Sequence, residues 1–214
     1  MLENPSFYKN ALFVEAQKTG SRQINRFTLD ALESADPKFW LIPSSSSGKY
    51  HPPEDQGEAG LIRHVLKCVA VTKEFGKRAF FTDTENAMAT SAVILHDVCK
   101  NGIPWTEYTD FTHGLLASKW LEQFYLNDQM QKDMILSAVR YHMAPWCFAI
   151  NPTKEKTTYT AAEHRLDLQE VYRAMTCPSR IELAVREADY WASRQDMSFM
   201  PGMPIAADIR HDAP

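Results

Sequence analysis

Apolar residues recur three and four positions apart through most of this chain, and nowhere do two alternating stretches offer a pair of strands. That pattern confines the chain to helix-on-helix packing. Side chains three and four apart share one helix face, whereas strand residues change face at every step. In GLIRHVLKCVAVTKEF, Leu61, Val65, Leu66, Val69 and Ala70 form one such face. FYKNALFVEAQKTG has the same spacing and ends at Gly20, a glycine C-cap, and SRQINRFTLDALESADP follows with Ser21 as N-cap. TENAMATSAVILHDV, with Thr84 read as its N-cap, then HGLLASKWLEQFYL and DQMQKDMILSAVRYHM, continue the series. AAEHRLDLQEVYRAM and PSRIELAVREADYWASRQ complete it, Pro178 falling in the first turn of the last. The expectation is an all-α protein of about seven to nine helices.

A length of 214 residues suits one compact domain with a sizeable core, and 44% hydrophobic residues argue against wholesale disorder. The division expected is a helical N-terminal segment over 1–42, a main domain over 43–200 and an irregular tail over 201–214. Between the second and third helices, Phe39 to Ala59 is a long loop rich in Pro, Ser and Gly, the kind that often carries function. The net charge of −4 argues against long nucleic acids, whose phosphates need a basic surface, yet leaves room for a short nucleotide. No apolar run approaches the roughly 18 residues of a membrane span, and MLENPSFYKN lacks the basic-then-apolar order of a signal peptide. Cys68, Cys99, Cys147 and Cys177 form no C-x-x-C pair and read as free thiols in a reducing cytoplasm.

The chemistry gathers in the histidines. His96 and Asp97 stand side by side at the end of the apolar run SAVIL, where an imidazole and a carboxylate must be satisfied by something. Singly, His64, His96, His113, His142 and His164 each read as structural residues. The order His64, His96-Asp97, His113, His142 and Asp189 reads differently.

On these residues the chain resembles the HD-domain metal-dependent phosphohydrolases, over roughly Pro43 to Arg194. GLIRHVL looks like the first histidine helix of that family, and LHDVCKNG like its His-Asp signature with a lysine three residues on. HGLLASKWL and RYHMAPW resemble the histidine motifs of members holding two metals, and ADYWASR the closing Ala-Asp-Tyr helix. Cys99 stands where many relatives carry glycine. The resemblance implies a single helical bundle with an N-terminal extension. It also implies two divalent transition-metal ions (Mn, Fe, Co, Ni or Zn). One would be held by His64, His96, Asp97 and Asp189, the other by Asp97, His113 and His142. Imidazole and carboxylate are the donor set such metals take, and Asp97 has two oxygens with which to bridge.

The activity that the resemblance implies is hydrolysis of a phosphate ester of a nucleotide or related small molecule, with water activated between the metals. Asp97 and Lys100 are the catalytic candidates, Lys100 being equally a solvated helix-end lysine. Lys49, His51, Lys100 and Arg194 are candidate substrate contacts. Lys49, Tyr50 and His51 lie in PSSSSGKYHP, which is similar to a stretch preceding the first helix in related hydrolases and reads equally as a surface loop. Arg63 and Arg140 precede ligand histidines and are weaker phosphate candidates. Trp105, Trp146 and Trp191 are stacking or core residues, and His164 and His211 read as surface positions. The competing readings are a di-iron oxygenase built on the same ligand order and an inactive binding or regulatory domain. The expected partner is a small phosphorylated molecule, with no long nucleic acid and no membrane, in the cytoplasm. Self-association into a homo-oligomer stays open.

Overall fold

The structure, a computed structural model, describes residues 4–46, 51–144 and 168–194. Among them are eight α-helices and no strand. They are α1 (Pro5–Gln17), α2 (Arg22–Glu33), α3 (Gly60–Arg78), α4 (Asp83–Leu95), α5 (His113–Leu121), α6 (Gln129–Tyr141), α7 (Leu168–Thr176) and α8 (Arg180–Ala192). Two 3₁₀ turns, Pro37–Trp40 and Pro53–Asp55, give the loop after α2 its shape.

Two helices run through the centre. Every residue of α3 from Gly60 to Val69 is buried, as is every residue of α4 from Ala87 to Leu95. A helix covered on all sides is interior. That is why SAVIL shows no polar face. Helix α8 packs on α3, α4 and α6, and α6 packs on α4, with α5 laid on α6, α1 against α3 and α4, and α2 against α1 and α4. Leu61, Ile62, Ile94, Leu95, Ile135 and Ile181 are among the fully buried side chains of that core, each contributing about 1.5–3 kcal/mol by leaving water. One polar link joins α2 to α4, where the hydroxyls of Thr28 and Ser91 meet at 2.7 Å.

The helix ends follow local chemistry. Ser21 caps α2, its side chain accepting from Ile24 N. Helix α1 is capped by Lys18, and Gly20 beyond it takes φ +90°, open to glycine at no steric cost. Three boundaries differ from expectation, the first being the end of α1, which is capped at Lys18 and not at Gly20. Helix α4 starts from Thr82 rather than Thr84, because Thr82 and Glu85 form a reciprocal capping box. Helix α8 starts from Ser179 with Glu182 in the same arrangement, so Pro178 lies before the cap and not inside the first turn. The stretch from Asn151 to Asp167, the tail from residue 195, Lys49, Tyr50, Trp146, Cys147, His164 and His211 lie outside the described residues.

Candidate metal centre

Five helices each deliver a donor to one buried spot. His64 comes from α3, His96 is the C-cap residue of α4 with Asp97 directly after it, His113 opens α5, His142 is the C-cap residue of α6, and Asp189 lies on α8. The four imidazoles and Asp97 are all at least 98% buried. Helix α5 reaches α6 closely because Gly114 has no side chain. A Cβ there would stand 2.9 Å from the Val139 and Arg140 carbonyl oxygens and 3.1 Å from His142 Cε1. A larger residue at 114 would force His113 and His142 apart.

Three of the four histidines are set in one tautomer by nearby backbone carbonyls. His96 Nδ1 donates to the Val93 carbonyl at 2.7 Å, His113 Nδ1 to Asp110 at 2.6 Å and His142 Nδ1 to Val139 at 2.7 Å. A carbonyl only accepts, so in each ring the Nδ1 proton is committed and a neutral ring leaves Nε2 bare. This is how metal-binding imidazoles are held. The bare atoms converge. His113 Nε2 and His142 Nε2 are 3.0 Å apart, and they lie 2.9 Å and 3.8 Å from Asp97 Oδ1. Two nitrogens bonded to one metal at roughly 2.1 Å and a right angle would stand about 3 Å apart.

On the other side, His64 Nε2 lies 3.1 Å from Asp189 Oδ1, and His96 Nε2 lies 3.8 Å from that oxygen and 3.4 Å from Asp97 Oδ2. Despite this crowding, His96 Nε2 and Asp97 Oδ1 are buried with no hydrogen-bond partner. Two such atoms left without a partner would cost several kcal/mol, and a divalent cation among them removes the cost. Donors from His64, Cys68, His96 and Asp189 lie within 4.8 Å of one another, as do those of His96, Asp97 and His142. The residues therefore fit one or two transition-metal ions.

Electrostatics favour the same state. Burial pushes the Asp97 carboxyl up, but the Lys100 ammonium, then His96 and His113, hold it well below the usual range. Asp189 is likewise pushed up by burial and held well below by the imidazoles of His64 and His96. Burial, with His96 and His113 nearby, lowers His142 to about 3, so this ring is neutral and ready as a ligand. His96 differs: burial lowers its pKa, but Asp97 and Asp189 outweigh it and draw it upward, so the two anions favour a positive charge at Nε2, carried by a proton when no metal ion is bound.

Lys100 is buried, with Nζ 2.5 Å from Asp97 Oδ2. Helix α4 stops before it, yet turn hydrogen bonds, Lys100 N to the Asp97 carbonyl among them, keep Lys100 beside Asp97. His51 is also brought in. Its ring meets that of His64 edge-on with centroids 4.6 Å apart, and burial, with His64 and Lys100 beside it, lowers its pKa to about 2. Its Nδ1 has no hydrogen-bond partner. Beneath it, Asp55 is fully buried on Lys67, and a Cβ at Gly60 would fall 1.9 Å from the Asp55 carbonyl oxygen, so only glycine lets this turn seat on α3.

Other candidates are placed elsewhere. Arg63 donates to the carbonyls of Glu54 and Glu58, pinning that loop, which occupies its guanidinium. Arg140 contacts Ser118 on α5 and Glu122 at its C-cap. Arg194 lies over the Tyr190 ring at 4.2 Å and reaches the Ser193 hydroxyl at 3.4 Å, so its guanidinium folds back on the end of α8. Trp105 packs on the core, and Trp191 meets Tyr190 edge-on, 46% exposed. Sequence reasoning passed over Cys68, whose Sγ is 3.4 Å from His64 Nε2. Its position one helical turn after His64 was the available signal. Asp55 carried none.

No family model matches the chain, and no curated protein or solved structure is significantly similar to it. The all-helical fold with its clusters of His, Asp and Cys is compatible with an HD domain. No described helix is long and apolar enough to cross a membrane.

Proposed function

We propose that this chain is a metal-dependent phosphohydrolase of the HD type, acting on a phosphate ester of a nucleotide or related small molecule. One observation carries the reading. Three imidazoles with their Nδ1 protons given to backbone carbonyls turn their Nε2 atoms toward the buried carboxylate of Asp97 and the part-buried one of Asp189, and two of the facing atoms have no partner. His64, His96, Asp97 and Asp189 would hold one ion, and Asp97, His113 and His142 the second. Bound there, such ions supply Lewis acidity toward phosphoryl oxygens and a water-derived nucleophile at neutral pH.

The chain's own groups do the rest. Asp97 faces both halves of the centre, Oδ1 toward His113 and His142 and Oδ2 toward His96 and Lys100. With ions bound, its carboxylate would offset the charge of both. Asp97 and Asp189 hold the Lys100 pKa above its ordinary value against burial, which keeps the ammonium charged, and a phosphate oxygen is its natural partner. His51, neutral, beside His64 and with Nδ1 unpartnered, would contact substrate.

The test uses chelated protein reloaded with Mn²⁺, Co²⁺, Fe²⁺, Ni²⁺ or Zn²⁺ and a panel of nucleoside monophosphates, triphosphates, cyclic nucleotides and short oligonucleotides. Phosphate or phosphomonoester release is expected only with metal. Turnover in the presence of chelator would refute the reading. Oxygen consumption by iron-loaded protein without phosphate release would replace it with an oxygenase.

A further inference from the structure

The two halves of the centre are not chemically equal. The half containing Asp97 Oδ1, His113 and His142 offers only nitrogen and oxygen. The half containing His64, His96 and Asp189 includes a fully buried sulfur. Cys68 sits one helical turn after His64 on α3, so both side chains leave the same face. Its Sγ is 3.4 Å from His64 Nε2, and it belongs with His64, His96 and Asp189 to a group whose donor atoms all lie within 4.8 Å of one another. With bonds of about 2.1 Å to nitrogen and 2.3 Å to sulfur, a 3.4 Å separation corresponds to an angle of about 100° at the metal. A second observation points to the same space. His96 Nε2, a member of this group, is fully buried and has no hydrogen-bond partner. A cysteine serving only as a small apolar filler would need no such neighbour.

We infer that Cys68 is a ligand of the metal held by His64, His96 and Asp189, giving that position a soft sulfur donor that the Asp97–His113–His142 position lacks. The inference rests on the metal-centre reading above and extends it. Ligation replaces the S–H bond with a metal–sulfur bond and releases that proton to solvent, with no change of oxidation state. Sulfur favours Zn²⁺, Co²⁺ and Fe²⁺ over harder Mn²⁺ or Mg²⁺. The two positions would then differ in metal preference, the Cys68 position taking the softer ion.

The experiment is cobalt substitution of the full chain, read by absorption and elemental analysis together. Wild-type protein should show a near-ultraviolet sulfur-to-cobalt charge-transfer band. Cys68→Ser should bind cobalt without that band, and its cobalt affinity should fall roughly 100-fold, the upper end of what loss of a ligand's supporting partner costs. Manganese affinity should fall much less. The Cys99→Ala/Cys147→Ala/Cys177→Ala variant, with Cys68 its sole thiol, should keep the band. This variant decides the matter even where Cys68→Ser does not fold. Cobalt bound without the band in wild type overturns the Cys68 assignment and leaves the metal centre standing. No cobalt bound at all overturns both.

Discussion

Two buried polar clusters lie on helices α6 and α8, and they differ in one respect. At one, Glu182 is almost fully buried, and every approach to its carboxylate is a hydrogen bond. Ser137 Oγ donates at 2.6 Å, Arg173 donates at 2.7 and 3.0 Å, and the Ser179 N–H donates at 2.7 Å. At the other, Asp97 is as deeply buried, yet its Oδ1 lies 2.9 Å from a histidine nitrogen without a hydrogen bond between them. A carboxylate whose lone pairs are all occupied is complete and serves the fold. Asp97 accepts from Lys100 on Oδ2 only, and its buried Oδ1, facing histidine nitrogens with no hydrogen-bond partner, has room for a further cation. A depression of about 480 Å³ beside Glu182, lined also by Met130, Met134 and Arg173, contains none of the ligand side chains.

The comparison breaks most sharply at Asp97. Replacing it with Ala should lower metal content at both positions and cut the rate by more than the 10–100-fold that loss of a ligand's outer partner costs. Elemental analysis and phosphate-release kinetics check this, with circular dichroism to confirm folding. Next, adding metal at about 100 times its dissociation constant should stabilise wild-type protein by about 2.7 kcal/mol. Thermal melts with and without Zn²⁺ should show this shift in wild type and lose most of it in Asp97→Ala. At the satisfied cluster the effects reverse. Glu182→Ala removes a helix cap partner and several hydrogen bonds, so about 2 kcal/mol of stability and about 5 °C of melting temperature should go, with metal content unchanged.

The same residue gives a pH test. Burial pushes the Glu182 carboxyl up, but bonds from Arg173, Ser137 and Ser179 bring it from 4.5 down to about 2. A depressed carboxyl stabilises the fold fully above its ordinary pKa and loses that contribution as pH falls. The melting gap between wild type and Glu182→Ala should therefore close between pH 4.5 and about 2. An unchanging gap would show that the stabilisation is not ionic. The smallest effect is expected at Lys100. Lys100→Ala should keep its metal and lose about tenfold in kcat/KM, and full metal loss would assign the ammonium to holding Asp97 in place instead.

The helical class was legible because every one of α1 to α8 overlaps a single local window of helical apolar spacing, α7 within AAEHRLDLQEVYRAM included. Boundaries slipped where capping decided them, at Thr82 and Ser179, each three residues before a glutamate that reaches back. The six ligand candidates could be ordered along the chain because each lies within a recognisable local pattern. What brings them together could not be read there. The close approach of Gly114 to α6, the left-handed Ala59 at φ 56° and the seating of Asp55 beneath α3 all depend on parts of the chain meeting in space. Cys68 escaped notice for the same reason. Its spacing from His64 is ordinary for any helix, and only the approach of α4 and α8 makes the sulfur one of four donors.

The central claim is that the cluster around Asp97 is completed by metal ions, two of them with separable ligands. Metal content per chain, measured by elemental analysis after chelation and reloading, tests it most directly when wild type is set beside His142→Ala. Loaded wild type should hold about two ions per chain, and His142→Ala about one, kept by His64, His96, Asp97 and Asp189. Wild-type protein that retains no metal, or His142→Ala that retains as much as wild type, would contradict the account.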